Sequence, residues 1–123
     1  MSYWDTSALV KRYAQEPDPA VFENYLLSIP AKPVTSRIAL YEVRATFRRK
    51  EAEGILQPGY APRLHAEVLQ DVSAGELRLV ELGADVAREF GQVLDQCYRQ
   101  QPPIPLRTLD ALHLASARVA GQD

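Results

Sequence analysis

Apolar residues recur along this chain with two different periods, and the places where the period changes mark out its elements. Residues 2 to 5 read as a short strand. Residues 6 to 15 then stack Leu9 on Tyr13 and Val10 on Ala14 at a spacing of four, the signature of one helical face. Glu16-Pro17-Asp18-Pro19 interrupts this pattern, with Asp18 suited to an N-cap and Pro19 to a first helical residue. The helix they open carries Val21, Phe22, Tyr25, Leu26 and Ile29 on one face and closes at Pro30. Lys32-Pro33-Val34-Thr35-Ser36 predicts a brief second strand that delivers hydroxyl residues to another helix start.

That next helix, from about 36 to 53, has Leu40, Val43 and Phe47 on one stripe and Ile38, Tyr41 and Ala45 on a neighbouring one. Gly54 ends it, Gln57-Pro58-Gly59 turns the chain, and residues 60 to 74 resume the helical period through Leu64, Val68 and Val72. After Gly75, the alternation in Glu76-Leu77-Arg78-Leu79-Val80-Glu81-Leu82 predicts a third strand. Val86, Phe90, Val93, Leu94 and Cys97 mark a long helix that stops before Pro102-Pro103, and a last helix runs from about Leu106 to Ala120. Short strands alternating with helices imply an α/β fold: a short parallel sheet with helices on both faces.

Composition narrows the class. At 123 residues the chain fits a single domain, residues 1–123, large enough to bury a core without disulfides. No apolar run approaches a membrane span and the polar start is not a signal peptide, which places the protein in the cytoplasm with no membrane partner. The single Cys97 falls in an apolar helical stripe, so a buried, inert thiol is expected. A net charge of −2 argues against holding nucleic acid by bulk positive charge, but bound divalent ions can supply that charge locally.

Three acids stand in otherwise apolar helix starts or faces: Asp5 after the first strand, Glu42 one turn into the third helix, and Asp110 in Leu109-Asp110-Ala111-Leu112-His113-Leu114. Each has an ordinary reading as a helix cap or dipole partner; for Asp5, Thr6 and Ser7, capping alone would account for the pattern. Together they have another. All three belong to elements able to open onto the carboxyl edge of a parallel sheet, where such folds bind ligands. Converging carboxylates form a hard oxygen site for Mg²⁺ or Mn²⁺, and such sites hydrolyse phosphodiesters. No Ser-His-Asp arrangement competes; His65 and His113 suit surface or packing roles, although His113 shares a face with Asp110 three residues before it.

The segments Tyr3 to Tyr13, Ser36-Arg37-Ile38-Ala39-Leu40-Tyr41-Glu42-Val43-Arg44 and Leu106-Arg107-Thr108-Leu109-Asp110-Ala111-Leu112-His113-Leu114-Ala115-Ser116-Ala117 resemble, in order, the three leading motifs of PIN-domain ribonucleases, especially VapC-type toxins of VapBC toxin–antitoxin pairs. The resemblance implies a PIN-like three-layer α/β/α sandwich and a metal-dependent endoribonuclease restrained by a cognate antitoxin. By position, Asp5, Glu42 and Asp110 would be catalytic metal ligands for Mg²⁺ or Mn²⁺, with Ser7 and Thr6 supporting the site. Arg107 would contact RNA phosphate or the antitoxin. The family's fourth acid usually follows a further strand beyond a glycine like Gly121, whereas this sequence ends at Asp123; the expectation is a missing sheet edge and a weakened second metal site.

Arg44 and Arg48, one turn apart on the helix of Glu42, are candidates to lead an RNA backbone towards the metals, or else line a solvated face. Tyr25, Tyr41, Phe47 and Tyr60 offer aromatic surface for a homodimer, the usual state of the family. The competing reading is a PIN-like binding module that dimerises and engages an antitoxin without catalysis. A receiver or haloacid-dehalogenase-like phosphatase also places an Asp after its first strand. The latter needs a second Asp where this chain has Ser7, and the former a late Lys, which Lys11, Lys32 and Lys50 do not supply.

Overall fold

The computed structural model describes residues 2–14 and 32–121. In chain order these form β1 (Ser2–Tyr3), α1 (Thr6–Ala14), β2 (Pro33–Ser36), α2 (Arg37–Ala52), α3 (Tyr60–Ser73), β3 (Arg78–Val80), α4 (Ala84–Tyr98) and α5 (Thr108–Gly121). The helix expected at 18–30, including Tyr25, and the terminal Asp123 lie outside the described residues.

The strands make one sheet in the order β1-β2-β3, all parallel, with Tyr3 opposite Val34 and Ser36 opposite Val80. Side chains of successive strand residues leave on opposite faces, and the two faces feed two cores. On one, Trp4 and Leu77 pack with Leu9, Val10 and Tyr13 of α1, Leu40, Val43 and Phe47 of α2, and Leu64 and Val68 of α3. On the other, Val34 and Val80 pack with Val86 of α4 and Ala115 and Val119 of α5, with Tyr3 against them. The result is the expected three-layer α/β/α arrangement. Phe47 and Leu9 are fully buried, each contributing about 1.5–3 kcal/mol over an exposed position.

Several expectations are corrected in detail. The first strand stops at Tyr3 rather than residue 5, because the Asp5 carbonyl already accepts the Leu9 amide at 3.1 Å and the chain has turned into α1. The third strand keeps only Arg78–Val80 of the seven-residue alternation. In α2 the Leu40–Val43–Phe47 stripe is buried, but Tyr41 is 68% exposed and Ala45 is also exposed. The second stripe therefore faces away from the core, and Phe47 offers no aromatic surface. Cys97 is half-buried rather than buried, since α4 turns only Val86 and Val93 fully inward.

Two local devices set the helices that matter here. Ser36, extended at φ −86° and ψ 148°, accepts the Ile38 amide at 3.2 Å and caps α2 directly off the end of β2. The hinge into α3 uses Gly59 at φ +89°, a left-handed position where glycine is favoured. No side chain of that residue can then cap α3. Instead Glu51 reaches across from α2 to accept the Ala61 amide at 2.9 Å, its other oxygen held by Arg48 at 3.1 Å. A carboxylate there also favours the positive end of the helix dipole.

Candidate active site

Asp5 leaves the carboxyl end of β1, and α2 starts at the carboxyl end of β2, so Asp5 and Glu42 are set on neighbouring elements of one sheet edge. Asp5 is exposed and caps α1: its Oδ1 accepts the Ala8 amide at 3.0 Å. The capping role and a ligating role are compatible, because capping engages one oxygen of two. The next residue supplies the link to α2, with Thr6 Oγ1 donating to Glu42 Oε1 at 2.9 Å. Ser7, expected to share this work, is exposed and makes no hydrogen bond among the described residues.

From the opposite layer, α5 joins the same point. His113 Nε2 lies 2.6 Å from Glu42 Oε1, and its Nδ1 lies 2.7 Å from the Tyr3 hydroxyl. The Tyr3 and His113 rings also meet edge to face, with centroids 6.1 Å apart. One continuous chain of bonds thus runs from the sheet through α5 to α2 and on to α1: Tyr3, His113, Glu42, Thr6. Burial is the strongest influence on the Tyr3 phenol and pushes it up to about 12, against the hydroxyls of Ser116 and Thr35 that would favour the phenolate. The Glu42 carboxylate can only accept, so Nε2 is the donor to it, and the Tyr3 hydroxyl meets the ring on its other nitrogen, Nδ1. Ser116 itself is fully buried, with its hydroxyl lacking a well-formed hydrogen bond among the described residues.

Sequence reasoning gave His113 a surface or packing role and did not single out Tyr3. The one local signal was the three-residue spacing from Asp110, and it does place His113 on the site side of α5. Asp110 occupies the first turn of α5, exposed and without a hydrogen bond among the described residues. Arg107 is exposed just before it, its carbonyl accepting the Ala111 amide at 3.0 Å as α5 begins. A cleft of about 600 Å³ beside the edge is lined by Tyr3, Trp4, Asp5 and His113 with Leu114 and Ala117.

Arg44 and Arg48 do not join this group. On a helix, positions 42 and 44 fall on opposite sides of the buried Val43. Arg44 and Arg48 instead line a second cleft of about 460 Å³ with Glu51, Pro62 and His65, between α2 and α3. His65 there is held below its usual range, first by burial and then by the Arg44 charge.

A divalent ion fits the donor chemistry of the acid edge. Neither Asp5, Glu42 nor Asp110 is ion-paired to Lys or Arg among the described residues, and each keeps a carboxylate oxygen outside the hydrogen bonds above. The three are not drawn into one cluster: among the described residues, no three His, Cys, Asp or Glu side chains are gathered closely enough to hold an ion. Thr6 and His113 join the elements of Asp5, Glu42 and Asp110, leaving the carboxylates linked but spread.

A parallel sheet between two helical layers, with acids at its carboxyl edge, defines a class of small α/β proteins. The profile of the PIN domain matches residues 2–123, and the chain belongs to that family. Among solved structures it is similar to VapC20 of Mycobacterium tuberculosis, a toxin that cleaves the sarcin-ricin loop: TM-score 0.65, 19% identity, covering 98% of this chain and 84% of that one. It is also similar to a toxin–antitoxin complex from Klebsiella pneumoniae, with TM-score 0.62, 16% identity, and coverage of 98% and 81%. No curated protein matches the sequence.

Proposed function

We propose that this protein is a divalent-metal-dependent endoribonuclease, the toxin of a toxin–antitoxin pair, with Asp5, Glu42 and Asp110 as its metal ligands. The observation that carries the reading is the bonded junction of α1, α2 and α5 at one sheet edge, where Thr6 and His113 both fasten Glu42. Membership of the PIN-domain family and the likeness to two toxin structures support it. When bound, Mg²⁺ or Mn²⁺ would supply an activated water and neutralise phosphate charge. The chain's own part is to hold carboxylates that have no Lys or Arg partner among the described residues at the sheet edge. In this reading Arg107, exposed one turn before Asp110, would contact phosphate or an antitoxin.

The same reading has the protein act in the cytoplasm, as a homodimer with an antitoxin partner. Exposed Tyr41 and Tyr60 are available for such contacts, and among the described residues no helix is long and apolar enough to cross a membrane. The spread of the three acids favours one alternative, a PIN-like module that binds an antitoxin without cutting RNA. RNA cleavage by the purified protein, with and without added Mn²⁺, separates the two. Turnover that requires the ion and is lost in Glu42→Gln supports the nuclease. An intact protein that binds RNA or antitoxin but never cleaves supports the module.

A further inference from the structure

We infer that His113, oriented by Tyr3, is a positioning residue for Glu42: it fixes the carboxylate through Oε1 and leaves Oε2 free to bind an ion. The inference rests on the reading of Glu42 as a ligand. Its geometry is independent of that reading. Both donated bonds to Glu42, from Thr6 Oγ1 at 2.9 Å and His113 Nε2 at 2.6 Å, land on the same oxygen. Oε2 takes part in no hydrogen bond among the described residues.

A glutamate on a helix surface otherwise spreads over several rotamers, and fixing it costs side-chain entropy. Here that ordering is done before any ion arrives. The imidazole is itself immobilised, with 15% of its side chain exposed, its edge against the Tyr3 ring and its Nδ1 on the Tyr3 hydroxyl at 2.7 Å. Without that hydroxyl the ring loses the contact that fixes its Nδ1 side, and with it the aim of Nε2 at the carboxylate. Tyr3 stands in β1, paired to β2, so the orientation of Glu42 on α2 is referred back to the strand that leads into Asp5. Partners of this kind behind a metal ligand commonly change ion affinity 10- to 100-fold.

The test is Mn²⁺ binding by titration calorimetry at one pH, on intact wild type, Tyr3→Phe, His113→Leu and His113→Gln, with circular dichroism to confirm the fold. Tyr3→Phe keeps the buried ring and removes only the hydroxyl. We expect Tyr3→Phe and His113→Leu to weaken Mn²⁺ binding about tenfold or more, and His113→Gln, whose amide can still donate, to recover part of the loss. Equal affinity in wild type, Tyr3→Phe and His113→Leu, all folded, would overturn the positioning role and leave the metal reading standing. Wild type that binds no Mn²⁺ would overturn both.

Discussion

Tyr13→Phe tests how the helix that follows Asp5 is anchored. Tyr13 is buried at 7% exposure, and its hydroxyl donates to Asp71 Oδ2 at 2.6 Å, tying α1 to α3. The substitution keeps the ring in the core and deletes one bond to a charged acceptor, a loss of about 1.5–3 kcal/mol in general. Asp71 is half-buried and regains some water, which brings the expected cost down to about 1–2 kcal/mol. For a chain of this size that is a fall of about 4–8 °C in Tm at neutral pH. The pH dependence has a definite sign. Burial, then the bond to Asp71, raises the Tyr13 phenol above its ordinary value of 10.0. A group with a raised folded pKa stabilises fully below the unfolded value and loses that contribution as pH rises through the folded one. The gap between wild type and Tyr13→Phe should therefore hold up to about pH 10 and narrow as pH rises above it, with Tyr3, also raised, leaving both proteins some alkaline sensitivity. Thermal melts followed by far-UV circular dichroism measure both quantities. A difference below about 1 °C at pH 7, or a gap that widens above pH 10, would refute the reasoning.

Glu51→Gln removes the carboxylate that caps α3 and holds Arg48; a lower urea midpoint corresponding to about 0.5–1.5 kcal/mol is expected, with an unchanged slope. Arg44→Gln combined with Arg48→Gln should lower RNA affinity and flatten its salt dependence by about one to two charges, read from filter binding at several salt concentrations. Because their cleft lies on the far flank of α2, cleavage at saturating RNA should stay near the wild-type rate.

The features legible in the sequence were those with a local period or a local cap. The Leu40–Val43–Phe47 stripe announces its helix because the three recur within two turns, and Ser36 announces its cap because it directly precedes that helix. Tyr41 misled because a neighbouring stripe is apolar in composition alone; whether anything covers it depends on elements distant in sequence. Arg44, although two residues from Glu42, stands across the helix from it, in the cleft with Arg48 and His65. The Tyr3–His113–Glu42–Thr6 chain spans separations of 110, 71 and 36 residues, which no spacing rule reaches. Asp5 shows the limit of choosing between cap and ligand, since capping uses one oxygen and leaves the other.

That acids from three separate elements act as one metal-dependent site is tested most directly by single-turnover RNA cleavage in saturating Mn²⁺ by Asp5→Asn, Asp110→Asn and the double variant. Residues that work as a unit are strongly non-additive, so each single change should cost about as much as both together. Single effects that multiply in the double variant, or an Asp110→Asn protein that cleaves at the wild-type rate, would contradict a shared site.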